Sequence, residues 1–483
     1  MPIKVPWLKG VFPALITPFD KQSEEVDEQA YRRLIRDVLP DVDGIVTSGT
    51  TGEFPYLTRE EQRRLLEIGV EEADGKPVIA GCGASSTQEA LTLARDAEEG
   101  GASAALVVTP YFLHPSDKGV YQHFYDIATG VDLPIILYNI PQVMDAVLPR
   151  TVVEDLADMP NIIGIKDSSG NLPYTMEILE YAGDRIDVLV GYDEVVVPAL
   201  AAGVSGFILA SAQVYPEVWQ EVIRLVEAGQ VAEARARQRE VQKLSRIFCR
   251  HGGGVAVKAA LRMMGLDMGP PRRPLKSVGG ALIHETRAEI ELELERIGKI
   301  PAAEVAFEYP DGPLMERFAD LWITPQMIQE HQLRVGSGAA GEGLNRVQID
   351  VIAGDKGTCL GDAYALQLTY PQQWRQALTT IVEPGLTVRP SALLLPTLPQ
   401  KNLRQANMIY GPAQNALGYA IVEALESGLI PMEMVDSSVM VALTTIHPRA
   451  LDRHAVSKSV RAAASAALEQ AFGEGGRAVG LVA

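Results

Sequence analysis

Cysteine is scarce: Cys82, Cys249 and Cys359 are three in 483 residues, far apart and odd in number, which argues against a disulfide framework or a Cys-type metal site. A reducing cytoplasm fits that usage. Positive charge is also short, since 43 Lys and Arg against 62 Asp and Glu leave −19 at neutral pH. Such a surface repels nucleic acid and anionic membranes at long range. No apolar run is long and unbroken enough to span a bilayer. The nearest, 195–212, is cut by Pro198, Gly203, Ser205 and Gly206 into a short helix, a turn and a strand. The opening Met-Pro-Ile-Lys-Val-Pro-Trp lacks the apolar core and small-residue cleavage site of a signal peptide. A Gly-x-Gly-x-x-Gly is missing after the first strand candidate, which counts against a dinucleotide fold. The expectation that remains is a cytoplasmic chain that handles small molecules. At this length and with 47% hydrophobic residues it is expected to form two domains.

The first three hundred residues alternate short apolar runs with longer amphipathic ones. Strand candidates are 11–17, 44–47, 78–81, 105–109, 135–139, 162–166, 187–191 and 206–210, each rich in Val, Ile and Leu on both faces, as buried parallel strands are. Helix starts are marked by Thr58-Arg-Glu-Glu61 and Ser86-Thr-Gln-Glu89, which have capping-box spacing. Eight strand-helix repeats predict an α/β fold, a closed (β/α)8 TIM barrel rather than an open sheet. Helical periodicity continues through 216–250, 255–266 and 281–297, more than eight units need, and predicts appended C-terminal helices.

In such a barrel the chemistry sits at the C-terminal ends of the strands. Lys166 ends the sixth in the run Ile-Ile-Gly-Ile-Lys-Asp-Ser-Ser-Gly (162–170). An ammonium is costly to bury among apolar residues unless it goes neutral, and a neutral amine condenses with ketones. The second strand ends in Ser-Gly-Thr-Thr-Gly-Glu (48–53), whose glycines let backbone amides and the hydroxyls of Thr50 and Thr51 converge on an anion such as a carboxylate. Tyr111 follows the fourth strand, Tyr138 and Gly191 stand at the ends of the fifth and seventh, and Ile208 lies near the end of the eighth. Each alone reads as a tight turn or a half-buried strand end; an anion cradle, a phenol and a lysine around one mouth do not.

These residues, in this order and spacing, resemble the dihydrodipicolinate synthase/N-acetylneuraminate lyase family of pyruvate-dependent aldolases over roughly residues 8–299, through Gly-Thr-Thr-Gly-Glu (49–53), Tyr-Asn-Ile-Pro (138–141) and Gly-Ile-Lys-Asp-Ser-Ser-Gly (164–170). The resemblance implies a Schiff base between Lys166 and the C2 carbonyl of pyruvate or a related 2-oxo acid, Tyr138 as proton donor and acceptor, Thr50 as a relay hydroxyl and Thr51 as a carboxylate ligand. Gly191, Ile208 and Tyr111 complete the expected substrate set, and neither metal nor cofactor is called for. Two departures bear on substrate. Family synthases of the lysine precursor carry an arginine two residues after the proline, where Val143 stands, and a second tyrosine where Phe112 stands. Valine makes no bidentate contact with a carboxylate and Phe112 has no hydroxyl for those synthases' proton relay, so both changes argue for an aldolase or dehydratase acting on a sugar-acid-like or other 2-oxo acid and against dihydrodipicolinate synthesis.

Past residue 300 the pattern changes. Residues 300–333 read as a connector free to pack on either neighbour, and Gly-Ser-Gly-Ala-Ala-Gly-Glu-Gly (336–343) as a flexible or tight-turning lead-in to a second domain over 334–483. There the expected order is strand 347–352, helix 362–368, strands 379–382 and 392–395, helix 411–426, strand 438–446 and helix 457–472, a smaller α+β domain. Ile349-Asp350, Tyr410-Gly-Pro-Ala-Gln414 and Ile446-His447-Pro448 make this part resemble formaldehyde-activating enzyme over roughly 334–472. The resemblance implies a ligand pocket containing Asp350 and Gln414, with Gln348 where that family has an acid/base histidine. Thr397 and Pro399 stand in place of its lysine and threonine. A glutamine amide does not titrate near neutrality, so the domain is expected to bind or assemble rather than catalyse. The whole is expected to be a pyruvate-dependent Schiff-base aldolase acting on a 2-oxo acid and an aldehyde, in a homo-oligomer, without nucleic acid or membrane as partner. The alternatives are a bifunctional formaldehyde enzyme and a 4-hydroxy-tetrahydrodipicolinate synthase.

Overall fold

The computed structural model describes residues 4–251, 253–275, 284–301, 307–369, 376–383, 385–399, 403–450 and 452–473. The chain divides into two compact units, Met1–Ala303 and Glu304–Ala483.

In the first unit eight short strands form one parallel sheet: β1 (Gly10–Pro13), β2 (Ile45–Thr47), β3 (Val78–Gly81), β4 (Ala104–Val108), β5 (Ile135–Asn139), β6 (Ile162–Asp167), β7 (Asp187–Val190) and β8 (Gly206–Leu209). Each pairs with its sequence neighbour, β1 pairs with β8, and a bridge from Ala14 to Val46 joins β1 to β2 and closes the barrel. Burial on both faces follows from this closure. Phe12, Val46, Leu106, Ile136, Tyr138, Leu189 and Ile208 fill the interior, while Val11, Ile45, Val107, Leu137, Val188 and Phe207 pack outward against the helices. Thr58 and Glu61 form both bonds of a capping box at the helix Arg59–Glu72, whereas Ser86 caps Thr87–Glu99 by accepting the Glu89 amide. The expected helix 216–250 is two, Pro216–Glu227 and Val231–Arg250, separated at Gly229 with φ +77°. Gly254–Met263 and His284–Arg296 complete the appended set; residues 281–283 of the expected last helix lie outside the described residues.

The second unit is built on a mixed five-stranded sheet. Its strands are β9 (Arg334–Ala340), β10 (Val347–Asp355), β11 (Leu378–Thr379), β14 (Ser391–Pro396) and β15 (Ser438–Ile446), in the order β11-β14-β15-β10-β9. The short pair β12 (Ile381–Glu383) and β13 (Leu386–Thr387) stands apart, so the single expected strand 379–382 is broken at Thr380. Alternation sorts the residues of β10. Val347, Ile349, Val351 and Ala353 face the helices Gln414–Glu426 and Arg453–Phe472, and Ile352 faces the other side with Leu393, Leu395, Val441 and Leu443. One expectation is corrected here. The run at 336–343 is no flexible lead-in: most of it is β9, paired with β10 from Ala340–Val347 to Arg334–Ala353. Its glycines are required because a Cβ at Gly336 or Gly338 would stand 2.0 Å from the Ala467 or Ala463 carbonyl of the long C-terminal helix. Of the expected connector, residues 318–333 pack on this second unit. Phe318, Leu321, Ile323, Ile328 and Leu333 are buried in the cluster on the second face of the sheet beside Leu360 and Ala363, so this segment helps to cover that face.

Candidate active site

Lys166 lies in β6, opposite Tyr138 of β5 on one side and Leu189 of β7 on the other. The β5–β6 ladder slips between Ile135 and Ile136, which pair with Ile162 and Gly164, so Ile163 is the extra residue of a bulge three positions before the lysine. Bulges re-aim the side chains that follow them, and this one precedes the strand end where chemistry is expected. Lys166 is 4% exposed. Its Nζ sits 4.2 Å from the centroid of the Tyr138 ring, and the Tyr138 hydroxyl lies 3.4 Å from Thr50 Oγ1. Gly191 is the wall beside the amine, because a Cβ there would stand 2.7 Å from Lys166 Cε and 2.1 Å from Ser168 Oγ. The structure thus brings Lys166, Tyr138, Thr50 and Gly191 together. Thr51 follows Thr50 in the same turn and is nearly buried, and Ile208 lines the barrel interior. Tyr111 stands edge-on to Phe54 with centroids 6.3 Å apart, and burial followed by the charge of Glu89 pushes its phenol pKa up. Phe112 is 86% exposed at φ +74°.

Several positioning groups carry no sequence expectation. Asn139 is fully buried; its Nδ2 donates to Asp167 Oδ1 at 2.9 Å and its Oδ1 accepts the Leu148 amide at 3.0 Å. Asp167 in turn accepts from Ser169 N and Oγ and from Thr175 Oγ1. This network ties the strand ends that bear Tyr138 and Lys166 to each other. The neighbours Asn139 and Asp167, each next to a candidate residue at a strand end, were the available signal. On the other side of the mouth, Glu53 closes the turn that bears Thr50 and Thr51. Its Oε1 accepts from Lys258 Nζ at 2.5 Å. Nothing in the pattern of the helix Gly254–Met263 marks Lys258 as buried. Gln142, three residues before the bend at Asp145, donates to the carbonyls of Ser168 and Ser169 at 2.8 and 2.9 Å, and Val143 is exposed.

In the second unit, Gln348 and Asp350 stand together on the face of β10 that carries Ile352. Asp350 accepts from Arg317 Nη1 at 2.9 Å and Ser337 Oγ at 2.5 Å, and Gln348 Nε2 donates to the Pro310 carbonyl at 2.9 Å. Gln414 is not with them. It begins a helix packed on the opposite face, where its Nε2 donates to the Thr379 carbonyl at 2.6 Å. A cavity lined by Pro396, Pro399, Thr444, Ile446 and His447 includes none of the three. His447 packs edge-on against Phe307 and accepts the Arg449 amide on Nδ1, with its pKa lowered chiefly by burial. Among the described residues no group of three or more His, Cys, Asp or Glu side chains is placed to hold a metal ion, and no helix is long and apolar enough to cross a membrane.

A closed (β/α)8 barrel with a buried lysine, a phenol and a threonine hydroxyl meeting at its C-terminal mouth defines a Schiff-base-forming lyase of the class I aldolase type. The comparisons with known proteins agree, and they place the chain: it belongs to the dihydrodipicolinate synthetase family, whose model matches residues 7–292. Residues 335–478 match formaldehyde-activating enzyme. Among curated relatives, a 4-hydroxy-tetrahydrodipicolinate synthase of Methanopyrus kandleri is 38% identical over 297 residues, 61% of this chain and 98% of its own length. One from Nitratidesulfovibrio vulgaris strain Miyazaki F is 40% identical over 274 residues, 56% of this chain and 93% of its own. Among solved structures, a dihydrodipicolinate synthase from Aquifex aeolicus superposes with a TM-score of 0.57 at 35% identity, covering 60% of this chain and 98% of its own.

Proposed function

We propose that the barrel condenses pyruvate, or a close 2-oxo acid, with an aldehyde, or runs the reverse cleavage, through a Schiff base on Lys166. The observation that carries this is the meeting of Lys166 Nζ, the Tyr138 ring at 4.2 Å and Thr50 Oγ1 at 3.4 Å from the phenol. In the proposed sequence the amine adds to the C2 carbonyl and water leaves, giving an iminium. Loss of a C3 proton then gives an enamine, whose carbon attacks the aldehyde. Tyr138 hands protons to and from the C2 oxygen, with Thr50 as its hydrogen-bond partner, while Thr51 and the amides of its turn hold the carboxylate. Gly191 leaves space beside the amine that any side chain would fill.

For the aldehyde, the arrangement after Pro141 favours a group without a carboxylate at that point. Gln142 is committed to two backbone carbonyls, Val143 offers no charge, and the next arginine, Arg150, is paired with Glu154 and stacked on Tyr181. A second reading, 4-hydroxy-tetrahydrodipicolinate synthesis, is favoured by the names of relatives 37–40% identical to this barrel. We propose further that the second unit binds or assembles and does not condense formaldehyde with a pterin. Gln348 has no titratable nitrogen, and Asp350 is already neutralised by Arg317. A cytoplasmic location and assembly into a homo-oligomer belong to the same reading.

The test is proton exchange at the pyruvate methyl group in heavy water, followed by NMR. An enamine on the enzyme exchanges these protons without any aldehyde, so the methyl signal should decay with the intact chain. A methyl signal that persists at the uncatalysed rate contradicts the reading.

A further inference from the structure

The turn that carries Thr50 and Thr51 is held from outside the barrel as well as from within. Inside, Gly52 and Glu53 donate their amides back to Gly49 and Thr50, and Thr17 Oγ1 donates to the Gly52 carbonyl. Glu53 then leaves the turn in the left-handed region at φ +63°, a conformation that a non-glycine residue keeps only when its surroundings impose it. Its surroundings are a buried charge cluster. Lys258 Nζ donates to Glu53 Oε1 at 2.5 Å and to the Pro270 carbonyl at 3.2 Å, and the Arg272 amide donates to Glu53 Oε2 at 2.9 Å. The side chains of Lys258 and Glu53 are each 2% exposed. The Phe19 ring lies 4.3 Å from both the Lys258 ammonium and the Arg272 guanidinium. Burial lowers the Lys258 pKa to about 8 against the pull of Glu53.

The same helix that brings Lys258 to Glu53 also touches Thr51. At its first residue, a Cβ on Gly254 would stand 2.4 Å from the Thr51 carbonyl, and one on Gly253 would stand 3.7 Å from Thr51 Oγ1. The helix Gly254–Met263 therefore abuts the turn at Thr51 and is bolted to it at Glu53, one helical turn further on. Burying two charges is a poor way to gain stability, since well-packed apolar residues often do as well or better. What an ion pair does supply is a fixed geometry with steep distance dependence.

We propose that Glu53 and Lys258 are a positioning pair, which sets the height of Thr50 and Thr51 over Lys166 and Tyr138 and thereby tunes the affinity for the 2-oxo acid. This rests on the reading of Lys166 as the Schiff-base lysine and Thr51 as the carboxylate ligand. The pair touches no substrate. It acts through the turn, so its effect must pass through Thr51.

The test is a double-mutant cycle on the full chain, read as the pyruvate concentration that gives half-maximal borohydride trapping. Glu53→Gln keeps the shape and removes the charge; it should raise that concentration about tenfold in the natural chain and less than twofold in a Thr51→Val background. An equal tenfold shift in both backgrounds overturns the proposal, because the effect would then bypass Thr51. So does a lowered melting temperature with unchanged half-saturation, which is the mark of a purely structural pair. E53Q combined with Lys258→Met leaves no buried charge unpaired, so the fold should survive even if E53Q alone unfolds. That double variant should still need about tenfold more pyruvate; recovery of the natural value would overturn the pair's role. Failure of the unaltered chain to trap pyruvate at all would instead strike the Lys166 reading, and the positioning role would fall with it.

Discussion

At the scale of single residues, the proposed mechanism makes Tyr138 the group whose removal should separate chemistry from binding. Tyr138→Phe keeps the ring beside Lys166 and deletes the hydroxyl that meets Thr50, so turnover should fall about a hundredfold or more while trapping of pyruvate persists. Steady-state kinetics beside the trapping assay checks this, and unchanged turnover would move the proton transfer to Tyr111. A second residue sets a pH dependence. His123 is buried, its Nδ1 meets Thr87 Oγ1 at 3.0 Å, and burial lowers its pKa from 6.5 to about 4. The unfolded chain therefore takes up this proton more readily than the native one. The neutral imidazole's contribution is complete above about pH 6.5 and is lost as the pH falls through 4. Asp193, fully buried with its pKa raised to about 6 by burial, works the other way, since its contribution grows as the pH falls from 6 toward 3.8. Comparing His123→Gln with the natural chain isolates the histidine. Their stability difference should shrink by up to about 3 kcal/mol between pH 7 and pH 4 in denaturant melts. A constant difference would mean that His123 titrates normally. Lys166, Tyr138 and Thr50 were legible in the sequence because strand-end chemistry is local. Lys258 was not: on a helix of ordinary periodicity, its burial depends on Glu53, 205 positions away.

At the scale of elements, seven of the eight barrel strands could be read to within one residue because parallel strands are apolar on both faces, while the first ends at Pro13, four residues short of the expected 17. The second unit was harder. Its lead-in reads as a loop on glycine content alone, yet Gly336 and Gly338 are a strand's answer to the close approach of the C-terminal helix. No local property of the segment reports that helix, which lies more than a hundred residues on. Gly338→Ala should force β9 away from the Ala463 carbonyl and lower the second unit's stability by about 1–3 kcal/mol. Thermal melts of the variant should show the loss at roughly 2–4 °C per kcal/mol. An unshifted transition would mean that strand and helix are not packed as described. The single pocket expected for Asp350, Gln348 and Gln414 was implied by the family resemblance, and the sheet between them puts Gln414 on the other side.

At the scale of the whole molecule, the boundary between the units decides what can stand alone. Phe318, Leu321, Ile323 and Ile328 are buried against the sheet of the second unit, and Arg317 neutralises Asp350. A fragment 304–483 should therefore fold cooperatively, whereas 334–483 exposes that face and leaves a buried carboxylate unpaired; calorimetry on both would tell. Equal melting behaviour of the two would return 304–333 to the status of a connector. The Schiff base proposed in the barrel is met directly by one measurement: the full chain is treated with pyruvate and borohydride, and the modified residue is located by peptide mass spectrometry. One reduced pyruvate per chain is expected, on Lys166, and no adduct in Lys166→Ala. An adduct that persists in that variant, or that maps to another lysine, would contradict it.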